Sequence, residues 1–215
     1  TSYTWDGSTS STWNEPTNWT PTYPDGSEGP GTHTSAEDAV IPSGTPNDPQ
    51  FPNDASVDDL GTLTIESGAL VRTQAGSAVT VATLSNDGTI VRQGTGSGES
   101  ISATDTDSGT VRYVGTGDIQ DYGGTDYHRL EIASSGSSTV TDNLGVAGDL
   151  RVIAGTLDAG SSSGPHTLTV SGNMYVASGA SFIAANNTNS TVIFDSGGTQ
   201  TLDTGGTDDA HDLYD

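Results

Sequence analysis

The chain contains no cysteine, so no disulfide framework braces it and no thiolate zinc site can form. Lysine is missing as well. All five basic residues are arginines, Arg72, Arg92, Arg112, Arg129 and Arg151, against 28 acidic residues and a formal net charge of −23. Nucleic-acid binders need basic patches, and a surface this acidic repels phosphate backbones and anionic membranes. No apolar run approaches the roughly 20 residues needed to cross a bilayer as a helix. Aromatic residues make up only 6% of the chain and hydrophobic residues 30%, too few for a compact α/β enzyme core.

Glycine, with 29 copies, and an abundance of Thr, Ser and Asp take up the remainder, broken by short alternating runs of Val, Ile and Leu. That texture suits many short strands joined by tight turns around a thin interior. The acids are dispersed along the chain. Dispersed acidity without lysine points to a halophilic protein, kept soluble in salt that screens its self-repulsion.

Eight of the nine prolines fall within the first 52 residues and all three tryptophans within the first 19. Proline at this density excludes long helices and central strands. Two regions follow: an irregular Trp/Pro-rich cap or docking region over 1–55, with short strands such as Ala39-Val40-Ile41, and repeats over 56–215.

The repeats have two scales. TVRYVGTGDIQDYGGTDYHRLEI from Thr110 aligns with TVIFDSGGTQTLDTGGTDDAHDL from Thr191, a long echo. Within it VAGDLRVIAG from Val146 matches VSGNMYVASG from Val170, and LTIESGALV from Leu63 has the same shape. Self-similarity at about 20–25 residues is the mark of a solenoid, in which each unit buries its apolar face on its neighbours. The pairs Leu63/Ile65, Val79/Val81, Leu150/Val152, Leu168/Val170 and Met174/Val176 each place two apolar residues on one strand face. These features predict an all-β fold, a right-handed parallel β-helix, over an antiparallel sandwich.

The segments TVIFDSGGTQTL, NLGVAGDLRVIAGTLDAG and HTLTVSGNMYV, with the opening SYTWDGSTSSTWNEPTNWTP and EDAVIPSG, resemble the β-solenoid repeat modules of large bacterial cell-surface, adhesin-like proteins. The likeness covers most of the chain and its motifs specify architecture rather than activity. It implies an extracellular structural or adhesive module. The acidity and the missing lysine depart from the pattern.

Several residues are candidates for a role. Trp5, Trp13 and Trp19, with Tyr3 and Tyr23, make either an aromatic platform for stacking on surface glycans or a lid over the first coil's core. The lid is the favoured reading. The sequence Ala210-His211-Asp212-Leu213-Tyr214 reads as the first strand of a coil that does not close. Its His211, Leu213 and Tyr214 are expected to meet either flanking repeats of a longer chain or, head to tail in a homopolymer, the strand around Tyr3 and Trp5 of another copy. Asp105 and Asp107, in Asp105-Thr106-Asp107-Ser108-Gly109, have the spacing of a calcium loop without its distal glutamate, so calcium is the one cofactor considered. Asp126 with His128 is too small a set for a metal. Asn18, Asn186 and Asn189 match the glycosylation acceptor pattern. The arginines are scattered, and no nucleophile motif or phosphate loop is present, so no enzyme is expected.

Overall fold

The computed structural model describes residues 1–21, 30, 36–53, 56–93, 99–160, 165–184 and 190–205. Among these residues there is no α-helix, only one 3-10 turn at Pro16–Asn18 and a series of short strands that stack in parallel as a β-solenoid. The chain divides into two compact units, one of residues 1–93 with 97–110 and the other of 94–96 with 111–215.

The first unit holds β1 (Ser2–Trp5), β2 (Trp19–Thr20), β3 (Glu37–Ile41), β4 (Ser56–Ile65), β5 (Leu70–Arg72), β6 (Ala78–Asn86), β7 (Thr89–Arg92) and β8 (Ser100–Ile101). One sheet runs β2-β1-β3-β4-β6-β8. Every pairing in it is parallel except β1 with β2. Register carries the apolar alternation from strand to strand: Tyr3 lies beside Ala39, Ile41 beside Ile65, and Val79 beside Ile101. A second face stacks Val71 of β5 on Ile90 of β7, and bridges continue it through Gln50 to Thr12. The Pro-rich stretch thus supplies β1 and β3 to the same parallel ladder as the later repeats.

The second unit has three faces. It comprises β9 (Thr110–Tyr113), β10 (Gly117–Asp118), β11 (Arg129–Thr139), β12 (Leu144–Val146), β13 (Leu150–Asp158), β14 (Thr167–Val170), β15 (Met174–Val176), β16 (Ser181–Ile183), β17 (Thr191–Phe194) and β18 (Leu202–Asp203). Strands β11 and β13 are long because each bends from one face to the next, with register shifts at Ala133 and Ser137. Interior ladders follow: Leu130–Leu150–Met174–Leu202 on one face, Ser138–Leu157–Phe182 on the second and Leu144–Leu168–Val192 on the third. Each fully buried aliphatic side chain in such a ladder contributes about 1.5–3 kcal/mol.

The coils turn at a recurring corner. In Glu66-Ser67-Gly68-Ala69 and Ala177-Ser178-Gly179-Ala180 the alanine N–H donates to the carbonyl three residues back, at 2.9 Å in both. The glycines have φ of +81° and +88°, a conformation that a side chain disfavours. All ten residues of the five alternating pairs are buried. The 24-residue echo is real in space, Leu150 lying beside Met174 and Val146 beside Val170. The long echo is not: β9 belongs with β11 on one face, whereas β17 pairs with β14 on another.

Candidate functional site: an aromatic seal and an open rung

The three tryptophans and Phe51 form one buried cluster. Trp5 and Trp19 meet edge to face at 5.0 Å, Trp13 and Trp19 at 4.7 Å, and Phe51 tilts against Trp13 at 4.3 Å. Alternation of β1 turns Tyr3 and Trp5 inward, and β2, running antiparallel along the outer edge of β1, brings in Trp19 beside Trp5. Each indole N–H donates to a backbone carbonyl: Trp5 to Asn47 at 2.7 Å, Trp13 to Pro30 at 2.9 Å and Trp19 to Trp13 at 2.9 Å. Buried and hydrogen-bonded, these rings present no open face on which a sugar could stack. Tyr23 lies outside the described residues.

Asn18 holds this region together. Its side-chain oxygen accepts from the N–H groups of Thr9 at 2.9 Å and Ser10 at 3.0 Å, and its amide donates to Ser10 Oγ and to the Thr12 carbonyl. The residue is fully buried. This corrects its reading as a glycosylation acceptor, because a glycan on Nδ2 would replace one of the two donor hydrogens and find no room at a fully buried side chain. Asn186 and Asn189 lie outside the described residues, as do His211, Leu213 and Tyr214.

The other notable surface is apolar. Among the described residues the ladders end at β17 and β18. Val170 and Met174 are buried, yet the residues stacked beside them are not: Phe194 is 37% exposed and Leu202 41%. Ile193, at 42%, adjoins them, so three of the four exposed large hydrophobics among the described residues lie on this rung.

The arginines are less scattered than the sequence suggests. Register places Glu131 beside Arg151 and Arg151 beside Tyr175. The Glu131 carboxylate accepts from Arg112 at 2.6 Å and from Arg151 at 3.3 Å, and the Arg151 guanidinium lies 5.5 Å from the centre of the Tyr175 ring. This outward ladder pairs charges rather than presenting a cationic patch. A second pair, Arg92 with Glu99 at 3.3 Å, is almost wholly buried, and the carboxylate also takes the Thr73 hydroxyl. Only the 19- to 24-residue step between equivalent positions could have revealed the first ladder in advance.

Ionisation is shifted at Asp126 and at the Asp105–Asp107 turn. Asp126 is buried, accepting from the N–H groups of Tyr122 at 2.7 Å and Gly145 at 2.6 Å. Burial outweighs those bonds and raises its pKa, with Asp121 adding to the effect. Asp105 accepts from Asn86 N at 2.6 Å and from the N–H groups of Asp107 and Ser108. Burial works to raise it, but the donors prevail and hold its pKa low. Asp107 is pushed up by its hydrogen bond to Asp105 and by that neighbour's charge. Among the described residues no three His, Asp or Glu side chains gather in a metal-binding group, here or elsewhere.

No protein family, curated protein or solved structure matches this chain. Its role has to be read from the geometry. No helix among the described residues is long and apolar enough to cross a membrane. A shallow groove of about 440 Å³ runs along the outer side of β12 and β14, lined by Thr125, Asn143, Thr167, Thr169 and Ser171. It carries neither a charged side chain nor an aromatic ring, so nothing in it fixes a reacting group.

Proposed function

We propose that the chain is an extracellular structural module, a β-solenoid segment from the stalk of a large surface protein or from a surface filament. The observation that carries this reading is the open rung. Phe194 and Leu202 continue interior ladders whose earlier members are buried, so the rung has the pattern and register to receive another parallel coil. Within the first unit the tryptophans act as a seal, where β2 already occupies the outer edge of β1.

That last feature favours the stalk over the head-to-tail filament. Docking another copy's final coil onto Tyr3 and Trp5 would require displacing the β2 pairing at Thr4 and Trp5. The carbohydrate-binding alternative loses support for a related reason, since its aromatic platform is buried.

Intact mass of the native polypeptide from its source, with negative-stain microscopy of the same sample, tests the reading. A chain much heavier than the 21.8 kDa of this sequence, seen as long rods, is expected of a stalk. A chain near that mass forming fibres would favour the filament. Isolated particles of that mass that do not assemble would sink both.

A further inference from the structure

We propose that β18 is a keyed edge, which receives a parallel strand of the next coil carrying an apolar residue beside Leu202 and a basic residue beside Asp203. The inference rests on the stalk reading and adds to it the chemistry of the strand that covers the rung. The first observation is an outward column on this face. It runs Arg112, Glu131, Arg151, Tyr175, Asp203, one residue per coil, at steps of 19, 20, 24 and 28 residues. Each member up to Tyr175 engages the one before it. Arg112 meets Glu131 at 2.6 Å, Arg151 meets Glu131 at 3.3 Å, and the Arg151 guanidinium lies 5.5 Å from the centre of the Tyr175 ring. Asp203 then stands exposed beside Tyr175, and among the described residues no arginine pairs with it. Arg151, held by Glu131, is two strand spacings away, ~9.6 Å.

The second observation is what fixes the register of an incoming strand. Arg129-Leu130-Glu131, Asp149-Leu150-Arg151, Asn173-Met174-Tyr175 and Thr201-Leu202-Asp203 stack in turn, each with its middle residue in the same interior ladder. The first positions tie coil to coil through side chains. Asp149 Oδ1 accepts from Asn173 N at 2.8 Å, and Asn173 Oδ1 accepts from Thr201 N at 2.9 Å. Thr201 holds the same place at the rung and supplies a hydroxyl oxygen for the next N–H. A strand that sets an apolar residue on Leu202 therefore sets its following residue beside Asp203. An acid there would put like charges directly opposite one another, whereas a cation pairs with the carboxylate. The chain uses its few cations in this way elsewhere: Arg72 with Asp48, and Arg112 and Arg151 with Glu131, all pair between neighbouring coils. Lysine is absent from the sequence, so arginine is the expected residue. With five basic residues among 215, chance seldom puts one at a single named place.

Cryo-electron microscopy of the native rods, with sequencing of the native polypeptide, identifies the residue beside Asp203. An arginine or a lysine is expected. An acidic or uncharged residue, a second copy docked there, or a bare rung would overturn the proposal. Hydrogen exchange of the amides between β15 and β18 in the native polypeptide gives a second measurement. Asp203→Arg should lower their protection about 5-fold at low salt, and less in about 1 M NaCl. Leu202→Ser reports separately whether a coil covers the rung. Protection lost in Leu202→Ser but unchanged in Asp203→Arg would leave the stalk standing and refute the basic residue. Protection unchanged in both would refute the two together.

Discussion

The two units share one coil plan but fill it differently. The first gathers every tryptophan into a single knot with Phe51, braced by Asn18 and by indole bonds to distant carbonyls. The second has no tryptophan and relies on uniform aliphatic ladders, with Tyr113 and Tyr127 bonded hydroxyl to hydroxyl at 2.9 Å inside it. The difference shows two ways to finish a repetitive core. Where coils simply stack, small residues repeated in register suffice, because each coil is covered by the next. Where β2 turns back against β1, large rings fill the space beneath that edge. Among the described residues, the rung at β17 and β18 has neither solution.

The sharpest way to break the comparison is to remove a ring. Trp13→Ala should cost the first unit about 3–5 kcal/mol, since it empties a volume touched by two other indoles and Phe51. Because all three tryptophans lie in the first unit, intrinsic Trp fluorescence during guanidinium unfolding reports that unit alone. Backbone hydrogen exchange over β11–β15 reports the other and should be little changed. Equal loss in both would mean that the units unfold as one.

The counterpart in the second unit is Leu150→Ala, which opens a gap between Leu130 and Met174 in the central ladder. About 2–4 kcal/mol is expected, read by exchange over β11–β15, with Trp fluorescence moving less. The cost falls below that of Trp13 because a ladder of small residues leaves a smaller void.

Much of this second unit was legible in the sequence. The alternation at Leu150/Val152 and Met174/Val176, the 24-residue step and the Ser-Gly-Ala corners follow from local rules of strand period and turn chemistry, and each was found where the pattern put it. The first unit was harder. Its strands β1 and β3 are short and lie among prolines, so periodicity could not show that they join the parallel sheet. Asn18 was read as a glycan acceptor because a motif reports neighbours in sequence, while its role depends on Thr9, Ser10 and Thr12 folded around it. The long echo between Thr110 and Thr191 misled for the opposite reason: similar strands can serve different faces of a coil. The Arg112–Glu131–Arg151 ladder needed the register before it could be seen.

Acid touches the units differently, although Asp107 in the first is raised, by its hydrogen bond to Asp105 and that neighbour's charge, as Asp126 is in the second. Asp6 and Asp105, in the first, are held below the ordinary value of 3.8: burial opposes this, but for Asp6 the bonds from Ser8 and Thr20, and for Asp105 its own donors, prevail. Their contribution is complete above 3.8 and lost as pH falls through the lowered values. Asp126, in the second, is raised, so its cost applies above its raised pKa and recedes as pH drops through it toward 3.8. On acidification both units should first gain slightly, through Asp126 and Asp107, and the first should then weaken at lower pH as Asp6 and Asp105 are protonated. Fluorescence and hydrogen exchange followed together across pH 7 to 2 check the order, and reversal would show that other groups dominate.

The smallest effect expected concerns the rung. Leu202→Ser in the isolated chain should change stability by no more than about 0.5 kcal/mol, because the side chain is already 41% exposed. Leu150 and Leu202 occupy the same ladder, so only coverage distinguishes them. If the native polypeptide stacks a further coil on β17 and β18, Leu202 is buried there as Met174 is, and the same substitution approaches the cost at Leu150. Measuring Leu202→Ser in both settings therefore weighs the missing cover directly. A negligible effect in each would count against a further coil on this rung, and the exposed Ile193, Phe194 and Leu202 would need another partner.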